Sequence, residues 1–382
     1  MTSILVVAGE NSGDKHGAGL IHQFKKKYPH TSFFGIGGDM MKAEGVELLY
    51  SIKDLSVMGA FELVAHLSRL KKIFTHIKRE ARKRRPAAAL LIDSPDFNLR
   101  LAKPLKKRSI PVLYYISPTV WAWRKGRLKS IQKFVDQMML IFPFEESLYK
   151  EKGIPAVYVG HPLLERIKIT LSKMEFFNTY KLDSDRPLIC LMPGSRNSEI
   201  KYHMPILMAT MDKLSEEIQA QYVLLLAESV DERAVNQHLA SSRIKIPVLK
   251  KNRYECMAYS DLILASCGTA NLEAALVETP FITFYRISAL SYNLGIPLIK
   301  TKTYSIVNIL AGQNIVPELI QRQFSPEKLH SEIKRILTSD QIKTEMIGRF
   351  KKVKKALGSK IASENAAAEL EKLLSRDQTS FR

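Results

Sequence analysis

Short apolar runs rich in β-branched residues recur along this chain, each followed by a longer amphipathic stretch, and few architectures accept that rhythm. The first half carries "SILVVAG", "SFFGIGG", "AALLID", "IPVLYYIS" and "QMMLIFPF". After a polar, charged connector over roughly 166–187, a second series runs "PLICLMPGSR", "YVLLLAES", "IKIPVLK", "DLILASCG" and "PFITFYR". Strands alternating with helical segments read as a parallel sheet with crossover helices, and here the pattern occurs twice. A chain of 382 residues exceeds one ordinary core and suits two domains. The expectation is therefore two α/β lobes with a cleft between them, the first over 1–170 and the second over 186–340. The tail over 341–382, rich in Lys, Glu, Ala and Leu, reads as helix.

Composition removes several classes of function. No apolar run approaches the roughly 18 residues of a membrane span, and the opening apolar stretch stops at Gly9-Glu10 with no basic leader before it. A cytoplasmic protein is expected. The three cysteines, Cys190, Cys256 and Cys267, form neither a C-x-x-C knuckle nor an even disulfide framework. The net charge of +20 calls for an anionic partner: nucleic acid, an acidic membrane face or phosphorylated substrates.

The chemistry-bearing residues gather where strands give way to helices. "AGENSGDKHGAG" fails both the G-x-G-x-x-G and the P-loop spacings. Glu10 and Asp14 put negative charge where a phosphate would sit, so this turn reads as a hydroxyl-binding site or an internal cap. "LICLMPGSRNSEI" is a better anion site. Its Pro193-Gly194-Ser195-Arg196 turn has a cation and no acid on its tip, and leads into a helix from about Ser198. Backbone N–H groups and the Arg196 guanidinium suit a diphosphate; the alternative is a capping turn with a solvated Arg. "DLILASCGTANLEAAL" ends likewise in Gly268-Thr269-Ala270 before a helix with Glu273 in its first turn, placed for ribose hydroxyls or for the helix dipole.

In "LLIDSPDFNLRLA" a strand stops at Asp93, with Pro95 and Asp96 behind it. Either carboxylate can serve as a general base on a hydroxyl, or cap the next helix. "YYISPTVWAWRKGR" sets Trp121 and Trp123 beside Arg124, Lys125 and Arg127, suited to a sugar or phosphate and equally to a packed loop. The D-x-D at 183–185 precedes its strand and reads as a solvated turn, and no His, Cys or carboxylate cluster has metal-site spacing. His16 and His161 sit in glycine turns as ligand contacts or structural residues. Residues 54–85 carry Met58, Phe61, Val64, Leu67, Leu70 and Phe74 at helical spacing, with Arg69, Lys71, Lys72, Lys78, Arg79 and the Arg82–Arg85 run following. That segment suits an anionic membrane surface or, more plainly, a core helix continued by a solvated basic one. It lacks the interleaved aromatics of a nucleic-acid platform.

Taken together, "AGENSGD", "GIGGDMMKAEG", "LSVMG", "IDSPDFN", "SPTVWAWR", "GHPLLE", "LMPGSR", "GTANLE" and "VNILAG" resemble the lipid-A-disaccharide synthases nearly end to end. The resemblance implies an inverting glycosyltransferase of the GT-B architecture, two Rossmann-like lobes facing a central cleft. It implies a reaction in which UDP-2,3-diacylglucosamine donates its sugar to lipid X (2,3-diacylglucosamine 1-phosphate), giving the β-1,6-linked disaccharide 1-phosphate and UDP, with no cofactor or metal. By motif, Asp93 would be the base. Gly194, Ser195, Arg196, Gly268, Thr269, Glu273 and Asn308 would hold the donor, and Glu10, Ser12, Gly13, Asp14 and Asp96 would face the acceptor. The resemblance also implies docking of the Met58–Phe74 segment on the inner face of the inner membrane, no nucleic-acid partner, and C-terminal helices that pack back on the first lobe or exchange in a homodimer. Two positions depart from the family pattern: Cys267 stands where Ser is usual, and Asn271 replaces a small residue. The nearest rival is another GT-B user of UDP-N-acetylglucosamine, a 2-epimerase or a polyprenyl-directed transferase.

Overall fold

The computed structural model describes residues 2–55, 63–121, 126–289, 292–293 and 303–379. The chain divides into two compact units, Met1–Glu165 with Ser359–Arg382, and Arg166–Gly358.

The first unit is built on a seven-stranded parallel sheet: β1 (Ser3–Ala8), β2 (Ser32–Gly37), β3 (Val46–Ser51), β4 (Ala88–Ile92), β5 (Val112–Tyr115), β6 (Gln137–Leu140) and β7 (Ala156–Tyr158), in the order β3-β2-β1-β4-β5-β6-β7. Its strands are apolar throughout because both faces are covered. Leu5, Val7, Leu91 and Tyr114 point into one core, which Ile73, Ile77 and Ala81 of the helix Leu63–Arg84 help to close. Ile4, Val6, Leu90 and Tyr115 point into the other, where Ala18 and Ile21 of the helix Asn11–Lys27 meet Ala366, Ala367 and Leu370 of the last helix, Ala362–Thr379. The helical tail thus splits. The helix Asp340–Leu357 belongs to the second unit, Gly358 ends it at φ 66°, and the final helix returns to the first. There Glu165 accepts from the Ser363 N–H (2.9 Å) and hydroxyl (2.6 Å), and Lys27 and Tyr28 reach Glu371.

The second unit carries a six-stranded parallel sheet: β8 (Leu188–Met192), β9 (Gln221–Leu225), β10 (Val248–Leu249), β11 (Leu262–Ser266), β12 (Phe281–Tyr285) and β13 (Glu318–Ile320), ordered β10-β9-β8-β11-β12-β13. In each sheet the chain starts at a central strand, winds outward, then jumps back to the other side. The reversal lies between β1 and β4 in one sheet and between β8 and β11 in the other. Open α/β sheets bind ligands at that point, beyond the strand C-termini. Both candidate sites fall there.

β3, β7 and β13 escape a reading by apolar runs. β3 ("VELLYS") is half polar, and the other two are three residues long. The polar connector also hides a helix, Lys173–Tyr180, begun by a capping box in which Ser172 and Glu175 exchange hydrogen bonds.

Candidate active site

In the first unit Ala8 pairs with Ile92, so Gly9 and Asp93 leave the sheet side by side at the reversal. A methyl on Gly9 would lie 2.0 Å from the Ser94 hydroxyl oxygen; only glycine lets the two strand ends approach. Asp93 and Ser94 take φ values of 49° and 42°, and at the end of the neighbouring strand Ile116 takes 70°. Left-handed backbone costs a non-glycine residue about 1–2 kcal/mol, and most for a β-branched one. Hydrogen bonds hold Asp93 in it. Its N–H donates to Tyr115 O (2.9 Å), and its carbonyl accepts from Tyr114 OH (2.5 Å) and Asn98 Nδ2 (2.9 Å). Asn98 also bonds Ile92 O at 3.0 Å, fastening the helix Pro95–Lys106 to the end of its strand.

Burial is the main cause that pushes the Asp93 carboxyl up to about 6, with the Glu10 charge adding to it. The Ser94 N–H and the Arg127 charge pull the other way. Such a group is ionised at neutral pH yet basic enough to accept a proton, as a general base requires. Asp96 meets solvent one turn on and forms an ion pair with Arg127 Nη2 at 2.8 Å. The two aspartates thus stand in different surroundings: Asp93 is largely sheltered from water, and Asp96 is charge-paired. Neither caps the helix, whose N-cap is Ser94.

The opening segment corrects its reading as a glycine turn. A helix starts at Asn11, with Glu10 as an N-cap that makes no side-chain cap bond, and Ser12 and Gly13 lie in its first turn. Gly13 serves close packing, since a methyl there would sit 3.3 Å from the Ala8 side chain. Asp14 is buried. Its carboxylate accepts from Gly38 N (2.6 Å), Met40 N (3.1 Å) and Met41 N (3.1 Å), capping the helix Asp39–Ala43. Glu10 and Ser12 are exposed at this edge.

Sequence reasoning missed an inner layer behind this rim. Glu145 is 1% exposed, and burial pushes its carboxyl up to about 8, so it stays mostly protonated at pH 7. Trp121 Nε1 donates to it at 3.2 Å, while Ser117 pairs with Tyr149 at 2.7 Å. This network holds the start of the "VWAWR" loop; Trp123, Arg124 and Lys125 lie outside the described residues. His161 is buried against Phe142, and its Nδ1 accepts from Leu163 N at 3.2 Å. Burial and the nearby His16 drive its pKa down to about 3, so it works as a neutral, structural ring.

In the second unit the Pro193–Arg196 turn leads into the helix Asn197–Ser215. The tip is not free of acid: Glu199 folds back, accepting from Ser195 N at 2.8 Å and pairing with Arg196 Nη1 at 3.1 Å. An acid three residues past the N-cap is a capping signal that "SRNSE" carried. Gly194, at φ 141°, is required because a methyl there would lie 2.4 Å from Glu199 Oε2. Arg196 itself remains 69% exposed and able to meet an anion.

At the end of β11 the helix Thr269–Leu276 begins directly after Gly268. Glu273 is its fifth residue, so it lies one turn deeper than the first turn and does not serve the helix dipole. It is buried and accepts from Arg253 Nε (3.1 Å) and Nη2 (2.5 Å) and from Tyr254 OH (3.3 Å). Arg253 carried no signal in the sequence, since its partner lies 20 residues away. Asn271 turns inward and accepts from the Thr283 hydroxyl at 3.0 Å, so it braces β11 against β12 instead of facing a ligand. Burial raises the Cys267 thiol to about 12 and keeps it protonated. Asn308 is also internal. Its Oδ1 accepts from Ile315 N (2.7 Å) and Val316 N (2.9 Å), and its Nδ2 donates to Val316 O (3.0 Å) and Glu318 Oε1 (2.8 Å). With its amide fully engaged, Asn308 shapes the loop that returns to β13. Among the described residues, the N–H groups of Asn197, Ser198, Thr269 and Ala270 lack an acceptor in the protein, which leaves two helix starts open to a ligand at one reversal point.

Comparisons with known proteins decide the family. The lipid-A-disaccharide synthetase family model matches residues 4–371. The chain belongs to the lipid-A-disaccharide synthase family. It is 37% identical to the lipid-A-disaccharide synthase of Solibacter usitatus over 96% of both chains, and 40% identical to that of Anaeromyxobacter dehalogenans (strain 2CP-C), again over 96% of both. With the family comes lipid-A-disaccharide synthase activity in lipid A biosynthesis. Solved structures share the GT-B fold at low identity. The UDP-GlcNAc 2-epimerase of Neisseria meningitidis gives a TM-score of 0.66 at 11% identity, covering 98% of this chain and 100% of its own. The calicheamicin glycosyltransferase CalG4 gives 0.63 at 13% identity, covering 98% of this chain and 99% of its own.

Among the described residues no group of three or more His, Cys, Asp or Glu could hold a metal, and no helix is long and apolar enough to cross a membrane. Asp183 bonds Asp185 N at 2.9 Å and pairs with Arg186, closing the D-x-D as a surface turn. Of the apolar residues placed at helical spacing, Met58, Phe61 and the Val64 side chain lie outside what is described. Leu67 is 57% exposed, whereas Phe74 is half-buried and packs on Phe97 at the edge of the core. Ser68, Lys71, Lys72, Thr75, His76 and Arg79 line a hollow of about 400 Å³ on the outer side of the helix. Arg84 is spent on Glu47 (2.6 Å) and Glu80 (3.0 Å).

Proposed function

We propose that this chain transfers 2,3-diacylglucosamine from UDP-2,3-diacylglucosamine to the 6-hydroxyl of lipid X in a single inverting displacement. Asp93 takes the hydroxyl proton as the oxygen attacks the donor anomeric carbon. The bond from that carbon to the UDP oxygen breaks, and UDP leaves with the electron pair. Arg196 and the open N–H groups at Asn197, Ser198, Thr269 and Ala270 meet the charge that grows on the leaving diphosphate, with no metal required. Glu273, held by Arg253 and Tyr254, keeps lone pairs for ribose hydroxyls. Glu10, Ser12 and Asp96 border the acceptor. Asp14, Gly13 and Asn308 act one step back, as packing and loop-shaping residues.

The observation that carries this reading is Asp93: a sheltered carboxyl, poised near 6, held at a sheet reversal by three hydrogen bonds to its backbone. Peripheral attachment to an anionic inner leaflet goes with it, through the Leu67 side of the basic helix and the Lys71, Lys72 and Arg79 cluster. Exchange of the last helix between two copies would make a homodimer. The test is incubation with the acylated donor and lipid X, with and without a chelator, followed by mass spectrometry. Equal amounts of disaccharide 1-phosphate and UDP, unchanged by the chelator, are expected. Transfer from unacylated UDP-N-acetylglucosamine, or its epimerisation, would replace this reading with the rival ones.

A further inference from the structure

One buried histidine ties the second unit's rim together. His203 lies on the helix Asn197–Ser215, about two turns past the Pro193–Arg196 turn, and is 0% exposed. Its Nδ1 is 2.6 Å from the Pro193 carbonyl oxygen. Its Nε2 is 2.9 Å from Arg286 N and 3.1 Å from Arg286 O. A carbonyl only accepts, so Nδ1 carries the proton. In a neutral ring Nε2 then has only a lone pair, which takes the Arg286 N–H, and the approach to Arg286 O is a contact and not a bond. Burial lowers the imidazole pKa and keeps the ring in this neutral form. Phe284, Tyr285 and Phe324 surround it with ring centroids 5.2–5.7 Å away.

The two backbones that His203 joins follow β8 and β12, which are not neighbours. β11 runs between them and ends in the Gly268–Thr269 helix start. One side chain therefore links the turns on both sides of that helix start. This link lies past the last ladder pairs, Met192–Ala265 and Ser266–Phe284.

We infer that His203 is a positioning residue for the donor diphosphate: by bridging Pro193 and Arg286 it holds the Pro193–Arg196 turn in register with the Gly268–Thr269 turn. This rests on the diphosphate reading of those turns given above. Phenylalanine keeps a ring among Phe284, Tyr285 and Phe324 but removes both hydrogen bonds, while glutamine supplies one donor and one acceptor. In the full-length chain, His203→Phe should weaken UDP binding by calorimetry, and raise the donor KM, about tenfold, the equivalent of one lost hydrogen bond of about 1.4 kcal/mol. The acceptor KM and kcat should change less than twofold, and His203→Gln should recover most of the donor affinity. Wild-type UDP affinity in a folded His203→Phe protein would overturn the inference. So would a loss spread equally over both substrates, or a failure of glutamine to rescue. Should His203→Phe not fold, His203→Asn decides: it keeps reach to Pro193 and loses Arg286, and unchanged UDP affinity there counts against the proposal. Arg196→Ala in the same assay separates the two readings. If it leaves UDP affinity untouched, the diphosphate reading falls. If it weakens UDP while His203→Phe does not, only the role of His203 falls.

Discussion

Replacing Asp93 by asparagine should slow turnover sharply and stabilise the fold at once. The carboxyl is raised from 3.8 to about 6, so the folded first unit holds the charged form less well than the unfolded chain does. A folded-state pKa above the unfolded one means that ionised Asp93 costs nothing below about pH 4, an increasing amount between 4 and 6, and its full amount above 6. At about 1.4 kcal/mol per unit the full amount is about 3 kcal/mol, and partial access to water reduces it to about 1–2 kcal/mol. Asparagine is neutral, close in shape, and more at ease than most residues at a φ of 49°. Calorimetry at pH 8 should therefore show the transition of the unit that carries Asp93 rising by roughly 2–6 °C, with no rise at pH 4. In parallel, turnover should fall by about 10²- to 10⁴-fold, with UDP affinity unchanged. A variant that is less stable at pH 8, or gains equally at both pH values, would refute the burial argument. A variant that keeps full turnover would remove Asp93 from the chemistry.

Further outcomes follow from the same geometry. The kcat/KM of the wild-type chain should decline with unit slope below about pH 6, as Asp93 takes up its proton; a limb near 4 would mean that a solvated carboxylate is the base. Gly9→Ala puts a methyl 2.0 Å from the Ser94 hydroxyl and should cost about 1–3 kcal/mol in urea denaturation. Turnover should drop with it while UDP affinity holds, and an undisturbed enzyme would show that the Asp93–Ser94 turn tolerates movement. Arg253→Met strands the buried Glu273 with Tyr254 alone, which should destabilise the second unit by on the order of 3 kcal/mol and weaken UDP binding; wild-type values for both would show that the pair positions nothing.

The fold was legible wherever strands were long and wholly apolar. β1, β4, β8 and β11 announce themselves, and they flank the two reversal points, so both rims could be placed from sequence. β3, β7 and β13 could not, because half-polar or three-residue strands carry no periodicity of their own. The site was legible as far as turn chemistry reaches. Asp93 and Arg196 stand at strand ends with Pro or Gly beside them, and the structure puts both on a rim. Where a polar side chain faces is set by tertiary contacts that sequence spacing does not encode. Asp14 and Asn308 lie in motifs, yet their side chains are turned inward onto Gly38–Met41 and onto Ile315–Glu318. Arg253, Glu145 and His203 lie outside every motif, and each matters through a partner 20 or more residues away. Glu199 is the exception, since the capping pattern in "SRNSE" was there to be read.

The central claim is that the second unit grips the departing diphosphate while Asp93 on the first primes the attacking hydroxyl. A crystal structure of the full-length chain soaked in UDP tests it most directly. The phosphates should lie on Arg196 and on the N–H groups at Asn197, Ser198, Thr269 and Ala270, with the ribose at Glu273. Phosphates resting instead on residues 9–15 would contradict the account.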